Sequence, residues 1–413
     1  MSAPATSLPW RGVILTTLLP TGLYGTGRGA ILPVIPVIAV EQGASLGAAG
    51  LISAMLLVGG LIGDLPSGAV VTRVGERAAM IWAAGVTVLA TVAVLVVPHP
   101  VTLAIGATVI GIATSIFALA RHAFLTTFVP PAYRARALST LGGTFRLGMA
   151  IGPFITAGLL SLGAGPISAF WVLVAGSVGA ALVLLLLRDP EVVLRAPAVR
   201  TNGGGDHGEG LFRTIAAQRG VLVSVGISSS VMSALRASRQ VILPLWAVSI
   251  GVSESWASVV IGVAMALDFA LFYTGGWVTD RLGRRYVAIP SLIGLAVCHL
   301  VLALSHDLPG AEWWFVAVAL ALALANGMGA GMLMTLGSDL ADPEHPASFL
   351  AAWRFVNDTG QTVAPLAIAA ITAAASLPIA ALVVGAVGLA GAAVWLRTLP
   401  NRPVGGEPTP GET

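Results

Sequence analysis

The chain has 413 residues, of which 56% are hydrophobic and only 9% charged. Soluble domains run at about 45–50% apolar and about 25% charged, so this composition excludes a soluble globular protein and points to an integral membrane protein. All 21 basic residues are arginine, against 18 acidic residues, for a net charge of +3.

The absence of lysine excludes a Gly-Lys-Ser/Thr phosphate loop, and arginines spread over loops do not make a nucleic-acid surface. One cysteine, Cys298, excludes an intrachain disulfide, and six scattered histidines supply no metal cluster. Neither set provides a nucleophile–base constellation, so an enzyme is not expected. Met1–Trp10 is uncharged and the apolar run after it is too long for a signal-peptide core, so no cleavage is expected.

Apolar runs of membrane-helix length recur along the chain. In order they predict twelve spans, near Val13–Val40, Leu46–Val71, Ala78–Val97, Val101–Phe128, Ala137–Leu162, Ile167–Leu187, Val221–Ile250, Trp256–Thr279, Val287–Leu304, Trp313–Leu340, Ser348–Ala374 and Pro378–Leu396. The polar, glycine-rich stretch 189–218 reads as a flexible linker. It separates an N-terminal six-helix half, 1–188, from a C-terminal half, 219–413, with a short tail.

Arginine placement sets the orientation. Arg73, Arg77, Arg134, Arg281, Arg284 and Arg285 fall in alternate loops, and the linker and both tails carry more. The opposite loops hold Glu41, His99, Glu254, His306, Asp307 and Glu312 and no arginine. Both termini and the linker are therefore expected in the cytoplasm, and the localisation expected is a bacterial inner membrane.

The halves repeat. Gly68–Arg77 and Gly276–Arg285 lie 208 residues apart; Arg28-Gly-Ala-Ile-Leu-Pro33 and Arg239-Gln-Val-Ile-Leu-Pro244 lie 211 apart; Gly148-x-x-x-Gly152-Pro153 and Gly360-x-x-x-Ala364-Pro365 lie 212 apart. Two parallel six-helix repeats are a transporter plan. The second charged stretch, Gly276-x-x-x-Asp280-Arg281-x-Gly283-Arg284-Arg285, resembles the signature loop of the major facilitator superfamily, and the resemblance spans roughly Arg11 to Arg397.

It implies an all-α membrane protein of two pseudo-symmetric six-helix bundles and a transporter that works by alternating access. Asp280 and Arg281 would then belong to a cytoplasmic latch, with Gly276 allowing close approach and Gly283 making the turn. The first copy keeps Gly68 and Gly75, but Thr72 replaces the aspartate and Glu76 replaces the first of the paired arginines. Gly148, Gly152 and Pro153 resemble the helix 5 motif of drug:proton antiporters, where glycines permit close packing and proline kinks the helix. The family's mid-helix arginine in helix 4 would fall on Ala107 here, with Arg121 as its nearest substitute.

Ionisable residues within membrane spans are costly and therefore mark function. Asp64, Asp268, Asp358, Arg146 and Arg354 are candidates for proton coupling and gating. On the family plan, Asp64 would pair with Arg354 and Asp268 with Arg146 between the halves. Arg28, Arg121, Arg236, Arg239, Tyr24 and Trp246 are candidates for the substrate cavity. The repeat-equivalent Arg28 and Arg239 require either an anionic substrate or neutralisation by Asp64 and Asp268. The expected function is proton-coupled efflux of drugs or amphipathic, anionic metabolites by a monomer in the bilayer. The alternative is import of an organic anion. No cofactor or metal is expected beyond the proton gradient.

Overall fold

The computed structural model describes residues 14–129, 131–187, 219–329, 331–341 and 346–399. The expected linker and both tails lie outside these residues. The described chain is helical, in segments long enough to cross a hydrocarbon core at about 1.5 Å per residue.

The first unit begins with α1, a π turn Ile14–Leu18 followed by Leu19–Ile31 and Ile35–Glu41. It continues with α2 (Leu46–Val74), α3 (Glu76–Val96), α4 (Pro100–Phe128), α5 (Pro131–Ser161) and α6 (Ser168–Leu186). The second repeats the pattern. In α7, Arg219–Val221 leads into a π turn, Leu222–Gly226, and then Ile227–Ser249. There follow α8 (Glu254–Leu282), α9 (Arg285–Ser305), α10 (Ala311–Met328 and Met332–Leu340), α11 (Pro346–Ala374) and α12 (Leu377–Thr398).

Eleven of these helices are apolar and long enough to span a membrane; the other, α11, carries Arg354, Asn357, Asp358 and Gln361. Exposed apolar side chains such as Leu89, Ile105 and Leu186 give the helices surfaces suited to lipid. The chain is a multi-pass membrane protein. Its contacts divide it into two compact units, with the opening of α2, Ala44–Ala54, counted in the second.

The repeat reaches details that composition does not show. The π turns of α1 and α7 start at Ile14 and Leu222, again 208 residues apart. Gly75 and Gly283 have φ of 84° and 93°, in the region where only glycine is unstrained. These glycines stop α2 and α8 and start α3 and α9 almost at once. The charged stretch Gly276–Arg285 is thus mostly the last turns of α8, not a loop. Asp280 and Arg281 are helical, and the turn is confined to Gly283 and Arg284.

Two predicted spans are broken. In α1 the break is Leu32–Val34, around Pro33, whose ring cannot continue an α-helix without losing a hydrogen bond. In α10 it falls after Gly329, and Gly331, with φ of 85°, starts the second piece. Trp313–Leu340 therefore is not one rod.

Candidate functional site

The second unit gathers its intramembrane charges into one network. On α7, Arg236 and Arg239 lie three residues apart and share a face. Arg239 Nη2 donates to Asp268 Oδ2 of α8 at 2.8 Å, and Asp268 is only 6% exposed. The other carboxylate oxygen, Oδ1, accepts from the Asn326 amide of α10. Arg236 Nη1 donates at 3.1 Å to the carbonyl of Gly329, at the break in α10. A broken membrane helix frees backbone groups that must find other partners, and Arg236 supplies one. Gly327 lies against Leu271 and the Asp268 backbone carbonyl, so the end of the helix before the break packs on the turn of α8 that carries Asp268. This network neutralises Arg239 by Asp268, one of the two outcomes expected from the sequence.

The first unit is organised differently. Tyr24, fully buried on α1, hydrogen-bonds Thr87 of α3 at 2.8 Å and Thr114 of α4 at 3.1 Å. Its ring stacks on Phe117, with centroids 4.4 Å apart and planes 7° apart. Arg121, two turns beyond Thr114 on the same face of α4, is 5% exposed and lies over the Phe145 ring of α5 at 4.4 Å. Arg28 is half-buried one turn beyond Tyr24. Neither arginine has an ion-pair partner among the described residues. Arg28 Nε and Arg121 Nε and Nη1 are buried without hydrogen-bond acceptors.

Asp64 lies outside this cluster and accepts a hydrogen bond from Ser115 Oγ of α4. The contact is set by a glycine crossing. A Cβ on Gly59 would meet the Thr108 carbonyl at 2.1 Å, and one on Gly111 the Leu56 carbonyl at 2.3 Å. On α11, Arg354 Nε meets Asp358 Oδ2 at 3.3 Å, one turn away, and Gln361 donates to Asp358 Oδ1 at 3.1 Å. Arg146 is half-buried on α5 beside Phe145. Both cross-half pairs expected from the sequence join residues of different units. Within their own units Asp64 meets Ser115, Asp268 meets Arg239, and Arg354 meets Asp358.

Trp246 is 1% exposed and packs edge-on against His306 with centroids 5.1 Å apart, a core position and not an open cavity wall. Gly148 and Gly152 bring α5 against α1. An added Cβ would sit 2.5 Å from the Gly22 carbonyl and 2.3 Å from Ala30 N, respectively. Pro153 follows inside α5. Gly68 faces open space, so it serves no close approach within its unit. Arg281 lies over the Trp277 ring at 4.2 Å. The surroundings of Gly276 and the side chain of Asp280 lie outside the described residues.

Three features escaped sequence reasoning. Asn326 completes the Asp268 network; a lone amide in an otherwise apolar helix was the available signal. Asn357 Oδ1 accepts from Ser229 at 2.6 Å and Ser233 at 2.9 Å, joining α11 to α7. The last arginine of each charged stretch caps a distant helix end. Arg77 bonds the Leu184 and Leu187 carbonyls of α6, while Arg285 bonds the Leu396 and Leu399 carbonyls of α12 at 3.0 and 3.2 Å. Final-turn carbonyls lack helical partners, so these arginines hold the bundle together.

The family model described as Major Facilitator Superfamily matches residues 17–238 and 225–413. No curated protein sequence matches the chain. Among solved structures, a bacterial homologue of the human lysosomal transporter Spinster, in an inward-facing, unoccupied conformation, is 16% identical with a TM-score of 0.71, covering 95% of this chain and 97% of that one. The xylose transporter XylE from E. coli, in a partially occluded inward-open conformation, is 15% identical with a TM-score of 0.67, covering 95% and 100%. A D-xylose–proton symporter is 15% identical with a TM-score of 0.72, covering 94% and 98%. At these identities the structures speak for a shared fold.

Proposed function

Because the chain belongs to the Major Facilitator Superfamily and is a membrane transporter, we propose that it couples proton movement to efflux of amphipathic, anionic metabolites or drugs. The observation that carries this reading is Asp268, a buried carboxylate held between Arg239 and Asn326 at a helix break. Protonating Asp268 releases the charge that fixes Arg239. An unpaired intramembrane guanidinium then favours a different, hydrated or anion-bound arrangement. Proton occupancy thereby biases one state of an alternating-access cycle, which is what coupling requires.

Asp64, Asp358, Arg146 and Arg354, with Asp280 and Arg281 at the cytoplasmic end of α8, are assigned to the switching machinery. The proton gradient is the energy source, with no cofactor. The arginine asymmetry supports placing both termini in the cytoplasm, and the protein is read as a monomer in a bacterial inner membrane.

The test is flux in proteoliposomes under an imposed pH gradient, with a compound found by ligand stabilisation at two pH values. Wild type should drive net movement against the compound's gradient. Asp268→Asn should lose that drive while keeping exchange of labelled for unlabelled compound. Equal gradient-driven flux in both proteins would sink the coupling role. The direction relative to the proton gradient separates efflux from the second reading, import of an organic anion, which the unpaired Arg28 and Arg121 favour.

A further inference from the structure

Two cations in the first unit need an anion that the described chain does not supply. Arg121 is 5% exposed, yet its Nε and Nη1 have no acceptor, and Arg28 Nε is likewise orphaned. A buried charged group without partners costs several kcal/mol. The Phe145 ring under Arg121, 4.4 Å from its guanidinium, offsets only a small part of that.

The two guanidinium groups also converge. Helical side chains lean toward the N-terminus of their own helix, so Arg28 on α1 leans back toward Tyr24. Arg121 on α4 leans back toward Phe117 and Thr114. Tyr24 is itself bonded to Thr114 and stacked on Phe117, which fixes the two helices at one level. Phe145 lies at that level too, since a Cβ on Gly25 would meet its carbonyl at 2.9 Å. Thr21 Oγ1, one turn before Tyr24, is a further buried polar atom without a partner.

We propose that Arg28 and Arg121, walled by Tyr24, Phe117 and Phe145, form an oxyanion site that binds the carboxylate of an aromatic acid, the anionic end of the transported substrate. A guanidinium fork matches a carboxylate in shape and charge, and the half-buried Phe145 ring beside Arg121 offers apolar contact to a planar body, while Tyr24 and Phe117 are stacked on each other in the core. The carboxylate replaces the missing partner of both cations, so the occupied unit loses a penalty that the empty unit carries. This assignment rests on the transporter reading above but not on proton coupling, because binding at equilibrium needs no gradient.

The test uses the purified full-length protein in detergent at constant ionic strength, with benzoate, its neutral isostere benzamide, inorganic phosphate and chloride as probes. Benzoate should raise the melting temperature in a saturable way and benzamide should not. Arg28→Gln and Arg121→Gln should each weaken benzoate binding by about tenfold or more, the loss of one or two charge-assisted hydrogen bonds. Equal shifts by benzamide, or no shift by benzoate, overturn the site without any variant having to fold. Shifts by phosphate or chloride as large as that of benzoate overturn the carboxylate assignment and leave an inorganic-anion site. Benzoate binding retained in Asp268→Asn, alongside lost gradient-driven flux, separates this inference from the coupling mechanism.

Discussion

The two halves share a scaffold and differ in their charges. Both first helices carry a π turn near their start, both charged stretches turn on a glycine of positive φ, and the last arginine of each stretch caps the last helix of its half. Even the closest packing repeats: a Cβ on Gly148 would meet the Gly22 carbonyl at 2.5 Å, and one on Gly360 the Ser230 carbonyl at 2.2 Å. On this common frame the second half neutralises Arg239 with Asp268, while in the first Arg28 and Arg121 meet no carboxylate among the described residues. The backbone plan is thus kept where packing demands it, and the halves diverge in how their buried charges are partnered.

The strongest way to break the comparison is to remove the close approaches. Gly148→Val and Gly360→Val both push side-chain atoms into neighbouring backbone, which cannot yield as a flexible side chain does. Each should cost at least about 3 kcal/mol, read as loss of the monodisperse peak in size-exclusion chromatography. Gly158→Ala on the same helix as Gly148 meets nothing within 4 Å and should leave that peak intact. A stable Gly360→Val protein alongside a collapsed Gly148→Val would show that the packing is not shared.

The next effect separates the charge sets. Asp268→Ala leaves Arg239 buried with one partner removed and should destabilise by about 3–5 kcal/mol. Adding Arg239→Met should restore most of the melting temperature without restoring gradient-driven flux. Arg121→Met in the first half removes a cation that has no ion pair, so the unliganded protein should be as stable as wild type or more so. If Arg121→Met destabilises as much as Asp268→Ala, the halves do not differ as described.

How much of this was legible in the sequence follows from what each feature needs. Span number, repeat and family needed only apolar runs and three anchors at almost one offset, and all stand in the chain itself. Gly148 and Gly152 were readable because glycine at four-residue spacing has one main structural use in membrane helices. Arg28, Arg121 and Arg239 were visible as buried cations, but their different states were not. Neutralisation depends on which helix faces Asp268, a three-dimensional fact that no single segment encodes. The break in α10 was missed because Gly327, Gly329 and Gly331 read equally well as a packing stripe. Asn326 was missed because an amide carries no charge to count. Asp280 was singled out by motif alone, and Asp280→Asn should slow turnover by about tenfold while leaving insertion intact, measured as initial flux per inserted protein.

A smaller effect tests the helix-capping arginines. Arg77→Gln and Arg285→Gln each leave two terminal carbonyls without a charged donor. Each should lower stability by about 1–3 kcal/mol, and the two losses should match if the repeat is mechanical. Unequal losses would mean that one cap carries a further role, and flux under the imposed gradient would locate it.

The smallest effect lies where the halves differ openly. Arg284 pairs with Asp339 of α10 at 2.8 Å, and the corresponding position in the first half is Glu76, of opposite sign. The Asp339 side chain is 45% exposed, so water and salt screen the pair and its worth is at most about 1 kcal/mol. Asp339→Asn should therefore shift the melting temperature only slightly, and less still at high salt. A large shift that persists in high salt would mean that this pair is shielded from water and ties α10 to the end of α8. The charge inversion at Glu76 would then be a structural difference between the halves as large as the one at Asp268.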